Sequence, residues 1–64
     1  MNCYEVQVSF TIPAKVTTPP NVLHVCADGA PQAITRATKW LTGVGVIDIS
    51  VDSVIYKWPV QVPP

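Results

Sequence analysis

A chain of 64 residues, 48% hydrophobic and 12% charged, with four basic against four acidic side chains, is too apolar for a disordered tail and carries no net field for capturing phosphates. At this length only about 60% of the unfolded chain's surface can be buried, so a disulfide, a metal or a partner subunit is the usual supplement. The apolar runs are two or three residues long, whereas a membrane-spanning helix needs about 20.

The opening Met1-Asn2-Cys3-Tyr4-Glu5 lacks the basic start and apolar block of a secretory signal, so a cytoplasmic location is expected, with Cys3 and Cys26 reduced there. Alternation then runs unbroken over residues 4–12: Tyr4, Val6, Val8, Phe10 and Ile12 lie on one side, and Glu5, Gln7, Ser9 and Thr11 on the other. This is the pattern of a half-buried strand. Pro13 removes a ladder donor, and the polar stretch 14–21 with Pro19-Pro20 reads as a wide hairpin loop.

A second strand is expected over residues 22–27, with Leu23, Val25 and Ala27 facing inward and Val22, His24 and Cys26 outward. Asp28-Gly29-Ala30-Pro31-Gln32 reads as a strand-to-helix turn, since Asp or Gly can cap and Pro suits a first helical turn. Ala30, Ala33, Ile34, Ala37, Trp40 and Leu41 then recur at helical spacing as one apolar stripe. Gln32, Thr35, Arg36, Thr38 and Lys39 form the outer side, and the two cations suit the negative end of a helix that stops at Gly43 in a left-handed conformation. Small alanines allow close approach to the sheet, and a buried Trp40 would cost about 3–5 kcal/mol to truncate.

In the last segment Ile47, Ile49 and Val51 are in phase, but beyond Asp52-Ser53 the apolar set becomes Val54, Tyr56, Trp58, Val60 and Val62. A parity change of this kind is a bulge or a turn, and Asp-Ser is a weak hairpin sequence, which favours the bulge. Pro59 ends regular pairing and leaves residues 60–64 as an extended apolar tail.

The order strand, strand, helix, strand predicts a single α+β domain, ββαβ, with a mainly antiparallel three-stranded sheet in the order 2-1-3 and the helix on one face. Parity requires facing residues of the first hairpin to sum to an odd number. A sum near 29 places Cys3 opposite Cys26 and Glu5 opposite His24, with both cysteines on the face away from the helix.

Cys26 and His24, with Glu5 or Cys3 nearby, form the only approach to a catalytic group, but residues two apart on a strand supply neither a pocket nor an orienting third member. No catalytic residue is assigned. The same four residues lack the close-pair spacing of zinc ligands, so no metal or cofactor is expected and a small Cys/His metal protein is the third reading. A single-stranded nucleic-acid binder using Tyr56, Trp58 and the lysines is the second, although Lys15, Arg36, Lys39 and Lys57 are scattered.

The run Tyr4-Glu5-Val6-Gln7-Val8, then Val25-Cys26-Ala27-Asp28 leading into Ala33, Ala37, Trp40 and Leu41, then Asp48-Ile49-Ser50-Val51, resembles short accessory proteins encoded by bacteriophages. The resemblance covers most of the chain and is one of layout. It implies a non-enzymatic protein that binds and modulates or inhibits a host factor, in the host cytoplasm. The leading expectation is therefore a protein-interaction module, a homodimer in the absence of a covalent staple. Its contacts would be made by a sheet edge, the helix's outer face or the tail, through Arg36, Lys39, Tyr56, Lys57, Trp58, Val60 and Val62.

Overall fold

The computed structural model describes residues 1–59; Val60 and Val62 lie outside them. Strands β1 (Asn2–Thr11), β2 (Val22–Ala27) and β3 (Ile47–Pro59) and one helix, α1 (Ala30–Val44), follow in the order ββαβ. The sheet is ordered β2-β1-β3, and β1 is antiparallel to both neighbours. This is the α+β arrangement expected from the sequence.

Alternation in β1 decides which face meets the helix. Tyr4, Val6 and Val8 are buried and join Ala27 of β2, Ala33, Ala37 and Leu41 of α1, and Val46 in one core. Phe10, Leu23, Val25, Ile49, Val51 and Val54 pack around it. Ile12 departs from the expected inward set: it lies beyond Thr11, where β1 ends, and is exposed, because the alternation that turns Tyr4, Val6 and Val8 inward stops with the strand.

Gly29 caps α1 with extended backbone, and the Ala33 amide donates to its carbonyl at 3.0 Å. Gln32 Oε1 accepts from the Asp28 amide at 2.7 Å, which fixes the turn from β2. The helix ends two residues later than Gly43, at Gly45, which takes the left-handed conformation (φ 108°) and whose amide donates to the carbonyls of Leu41 and Thr42. A Cβ at Gly45 would only come into contact with Val16, 3.4 Å away, so the positive φ is what calls for glycine here. With the end at Gly45, no basic residue lies in the last turn, so Arg36 and Lys39 do not serve the helix dipole as the sequence suggested.

Trp40 also departs from expectation, being 50% exposed while Leu41 is fully buried. Ala33, Ala37 and Leu41 carry the contact with the sheet, and Trp40 sits on the flank of that stripe, where β2 is the last strand and no further one among the described residues covers it.

β3 is one bulged strand. Gln7 faces Ser53 and Val8 faces Val51, so Asp52 is the extra residue, and the phase change at 52–53 is a bulge as favoured from the sequence. Ser9 Oγ donates to Asp52 Oδ2 at 2.5 Å. Two further irregularities were not read from the sequence. Cys3 faces Trp58 while Tyr4 faces Tyr56, which makes Lys57 a second extra residue. A third shift lies between Ser9 and Thr11, where Asp48 has a positive φ of 53°. It takes Ile47 out of phase, so that Val46 is buried in its place.

Two stability outcomes follow. Leu41→Ala should cost about 2–5 kcal/mol, a large part of the roughly 3–10 kcal/mol available to a chain of this size, while Trp40→Ala should cost clearly less in urea unfolding. Equal losses would mean that Trp40 is core. Deleting Asp52 leaves the β1–β3 faces in register and should preserve cooperative unfolding. Deleting Gln7 from the central strand misaligns it against β2 as well and should abolish cooperativity.

Candidate interaction surface at the β2 edge

With β1 in the centre, β2 and β3 are the two edge strands, each unpaired on its outer side among the described residues. The β3 edge is interrupted by its bulges, which twist a strand and spoil it as a template for further pairing. β2 is different: all six of its residues, from Val22 to Ala27, pair with β1 in unbroken register, Cys3 opposite Cys26 and Glu5 opposite His24. This is the register summing to 29 that the sequence parity suggested.

The phase of that ladder decides which groups point outward. Val8 donates to the carbonyl of Asn21 at 2.9 Å, so pairs in step with Val8 and Asn21 are the hydrogen-bonded ones, and the alternate pairs turn their backbone groups away from β1. Those outward residues are Val22, His24 and Cys26. The Cα atoms of Cys3 and Cys26 are 3.9 Å apart, the narrow spacing of a non-hydrogen-bonded pair. Of the outward groups, the Cys26 carbonyl accepts from Arg36 Nη1 at 2.6 Å.

Between this edge and the helix lies an open groove of about 570 Å³, lined by Pro20, Leu23, Val25, Ala37 and Trp40 with Arg36 at the Cys26 end. Its floor is apolar, its strand wall carries free backbone donors and acceptors, and Arg36 makes no ion pair among the described residues.

The opposite face of the sheet carries the cysteine–histidine group singled out from the sequence. Cys3 and Cys26 form a disulfide, which corrects the expectation of two free thiols and supplies the covalent staple whose absence motivated a homodimer. With both sulfurs bonded to each other, neither is a nucleophile, and among the described residues no group of three or more His, Cys, Asp or Glu is placed to hold a metal ion. Glu5 lies between His24 Nε2 at 3.8 Å and Lys57 Nζ at 3.9 Å; exposed pairs like these contribute under about 1 kcal/mol.

His24 and Trp58 stack with ring centroids 6.5 Å apart. They belong to the strands on either side of β1, about 9.6 Å apart, so their rings lean together across it.

The candidate contact residues are thus dispersed. Arg36 is at the groove and Lys39 is exposed on the helix. Tyr56 lies on the helix side against Tyr4, edge to face at 5.8 Å, while Trp58 lies on the opposite face. The shared aromatic face expected for Tyr56 and Trp58 does not form, because the extra residue Lys57 inverts the alternation between them. Trp40, assigned to the core from its spacing, is the main groove residue that the sequence reading missed; its place at the margin of an alanine stripe was the available signal.

No protein-family model, curated protein or solved structure matches the chain. No helix among the described residues is long and apolar enough to cross a membrane.

The disulfide closes a separation of 23 residues, a loop whose cross-linking is worth about 3 kcal/mol. Cys3→Ser with Cys26→Ser, or reduction by dithiothreitol, should lower urea stability by about that amount. Intact-mass measurement should find the untreated chain two hydrogens lighter than the reduced one, and equal masses would remove the bond.

Proposed function

We propose that this chain is a non-enzymatic protein-interaction module that takes an extended segment of another protein as an added strand along the free edge of β2. The observation that carries the reading is the coincidence of a regular strand edge, with Val22 and His24 presenting backbone groups outward, and an apolar groove roofed by a half-exposed Trp40. Strand addition obtains affinity from main-chain hydrogen bonds and specificity from pockets that receive alternate side chains. Both components are present on this edge.

The phage-accessory resemblance makes the partner a host factor whose activity is modulated by capture of an exposed strand or tail. A cytoplasmic location bears on the disulfide, since such bonds persist in oxidising compartments and are reduced in a cytoplasm. In the cytoplasm, therefore, the groove would have to work with Cys3 and Cys26 as thiols. A homodimer is a competing use of the same edge, with β2 of a second copy as the added strand.

His24→Pro tests the reading. The His24 amide points away from β1, so proline removes a donor needed by an incoming strand while sparing the β1–β2 ladder, as edge positions allow. This variant should keep its circular-dichroism spectrum and lose capture of partner proteins from host extract that the wild type retains. His24→Ala, which keeps the amide, should lose less. Equal capture by wild type and His24→Pro would sink the edge reading. Sedimentation of a stable dimer that His24→Pro dissociates would assign the edge to a second copy, and salt-sensitive binding of a labelled oligonucleotide would favour the nucleic-acid reading.

A further inference from the structure

We infer that the β2-edge groove selects an extended segment in which an acidic residue precedes an apolar one by two positions, the carboxylate meeting Arg36 and the apolar side chain meeting Trp40. The inference rests on the strand-docking reading above and adds the chemistry of the occupant.

The direction of the helix sets the order. β2 and β3 both run antiparallel to β1 and hence parallel to each other, so α1 must return from the end of β2 towards its start. Arg36 is fixed at the Cys26 end by its hydrogen bond to that carbonyl. Trp40, four residues on, stands about 6 Å further along at 1.5 Å per residue, towards Pro20 and Val22, with which it lines the groove. In an added strand, residues i and i+2 face the same side about 6.8 Å apart. The two spacings match, so one such pair can address both helix side chains. A segment antiparallel to β2 enters at the Cys26 end and meets Arg36 first.

Charge supplies the second argument. The guanidinium is exposed and makes no ion pair among the described residues. None of the four acids pairs with Arg36 among the described residues: Glu5 lies between His24 and Lys57 on the other face, Asp52 accepts from Ser9 in the β3 bulge, and the carboxylates of Asp28, in the turn after β2, and Asp48 make no ion pair. One Arg36 nitrogen donates to Cys26, and a guanidinium has further donors in a fork that fits a carboxylate. Because the chain's formal net charge is zero, an acidic preference would be local and not the work of a general positive field. A second copy fits less well: its β2, Val-Leu-His-Val-Cys-Ala, carries no acid and would leave Arg36 without a counter-ion.

The test uses the full chain, oxidised, on immobilised peptides of the pattern Thr-X-Thr-Z-Thr with X and Z each varied over all residues. Peptides with Asp or Glu at X and Val, Ile or Leu at Z should retain about two- to fivefold more protein than those with Asn or Gln at X, the range of an exposed ion pair. The preference should vanish in Arg36→Gln, which keeps a donor for the Cys26 carbonyl, and persist in Lys39→Gln. Retention indifferent to X, a preference for the reversed order, or an unchanged preference in Arg36→Gln each overturns the acidic specificity while leaving strand docking intact. If no peptide is retained and the amide resonances of Val22 and His24 do not move with millimolar Thr-Glu-Thr-Val-Thr, strand docking at this edge falls as well.

Discussion

The alternation of β1 is the constraint on which the other elements depend. β1 is paired on both sides, and its even-numbered residues from Tyr4 to Val8 are buried against a helix whose contact stripe is Ala33, Ala37 and Leu41. A one-residue slip would send Val6 and Val8 to the other face and carry Glu5 and Gln7 into the core, so the register is closely specified. β2 must then present Leu23, Val25 and Ala27 inward, and its even residues turn to the opposite face along with Cys3 and Glu5.

The same constraint explains the irregular form of β3. Its apolar residues change parity between Val51 and Val54, and against a strictly alternating β1 this is possible only if one residue is left out of the ladder; Asp52 is that residue. A further extra residue at Lys57 turns Trp58 to the far face, over the central strand and beside His24. Bulges that repair the core phase also break the outer edge of β3 as a pairing surface. The two edges of the sheet are therefore unequal, and the regular one belongs to the shortest strand.

What could be read from residues alone divides along physical lines. Strand alternation, the helical alanine stripe and the sheet order follow from periodicity, which is local and strong; parity narrows the first hairpin to odd sums, of which 29 is the one that sets Cys3 opposite Cys26, and the bond between them does not follow from either. The flank of a helix is another matter: Trp40 satisfies the same spacing rule as Leu41, and only the finite width of a three-stranded sheet leaves it half outside. The helix end expected at Gly43 falls instead at Gly45, because spacing alone does not tell which glycine's amide reaches the Leu41 and Thr42 carbonyls. The Lys57 bulge had no sequence signal, since Tyr56-Lys57-Trp58 alternates regularly as written. That a three-stranded sheet leaves two edge strands was expected from the element order, but telling the regular edge of β2 from the irregular one of β3 needed the positions of the bulges.

The features that stabilise β2 also shape it as a template. An edge strand with one pairing neighbour tends to fray, and fraying would charge an incoming strand with the entropy of ordering its partner. Two links hold the far end of β2 without occupying the outward groups of Val22 and His24. The disulfide ties Cys26 to the central strand through its side chain, and Arg36 ties the Cys26 carbonyl to the helix. At the near end, Asn21 both accepts from the Val8 amide and donates from its side chain to the Val8 carbonyl at 3.1 Å. The strand is pinned at both ends, with its middle backbone groups facing the groove. Preorganisation of this kind lowers the ordering cost of binding, so on the proposed strand-docking reading the redox state of Cys3 and Cys26 would set affinity even though neither sulfur need touch the partner.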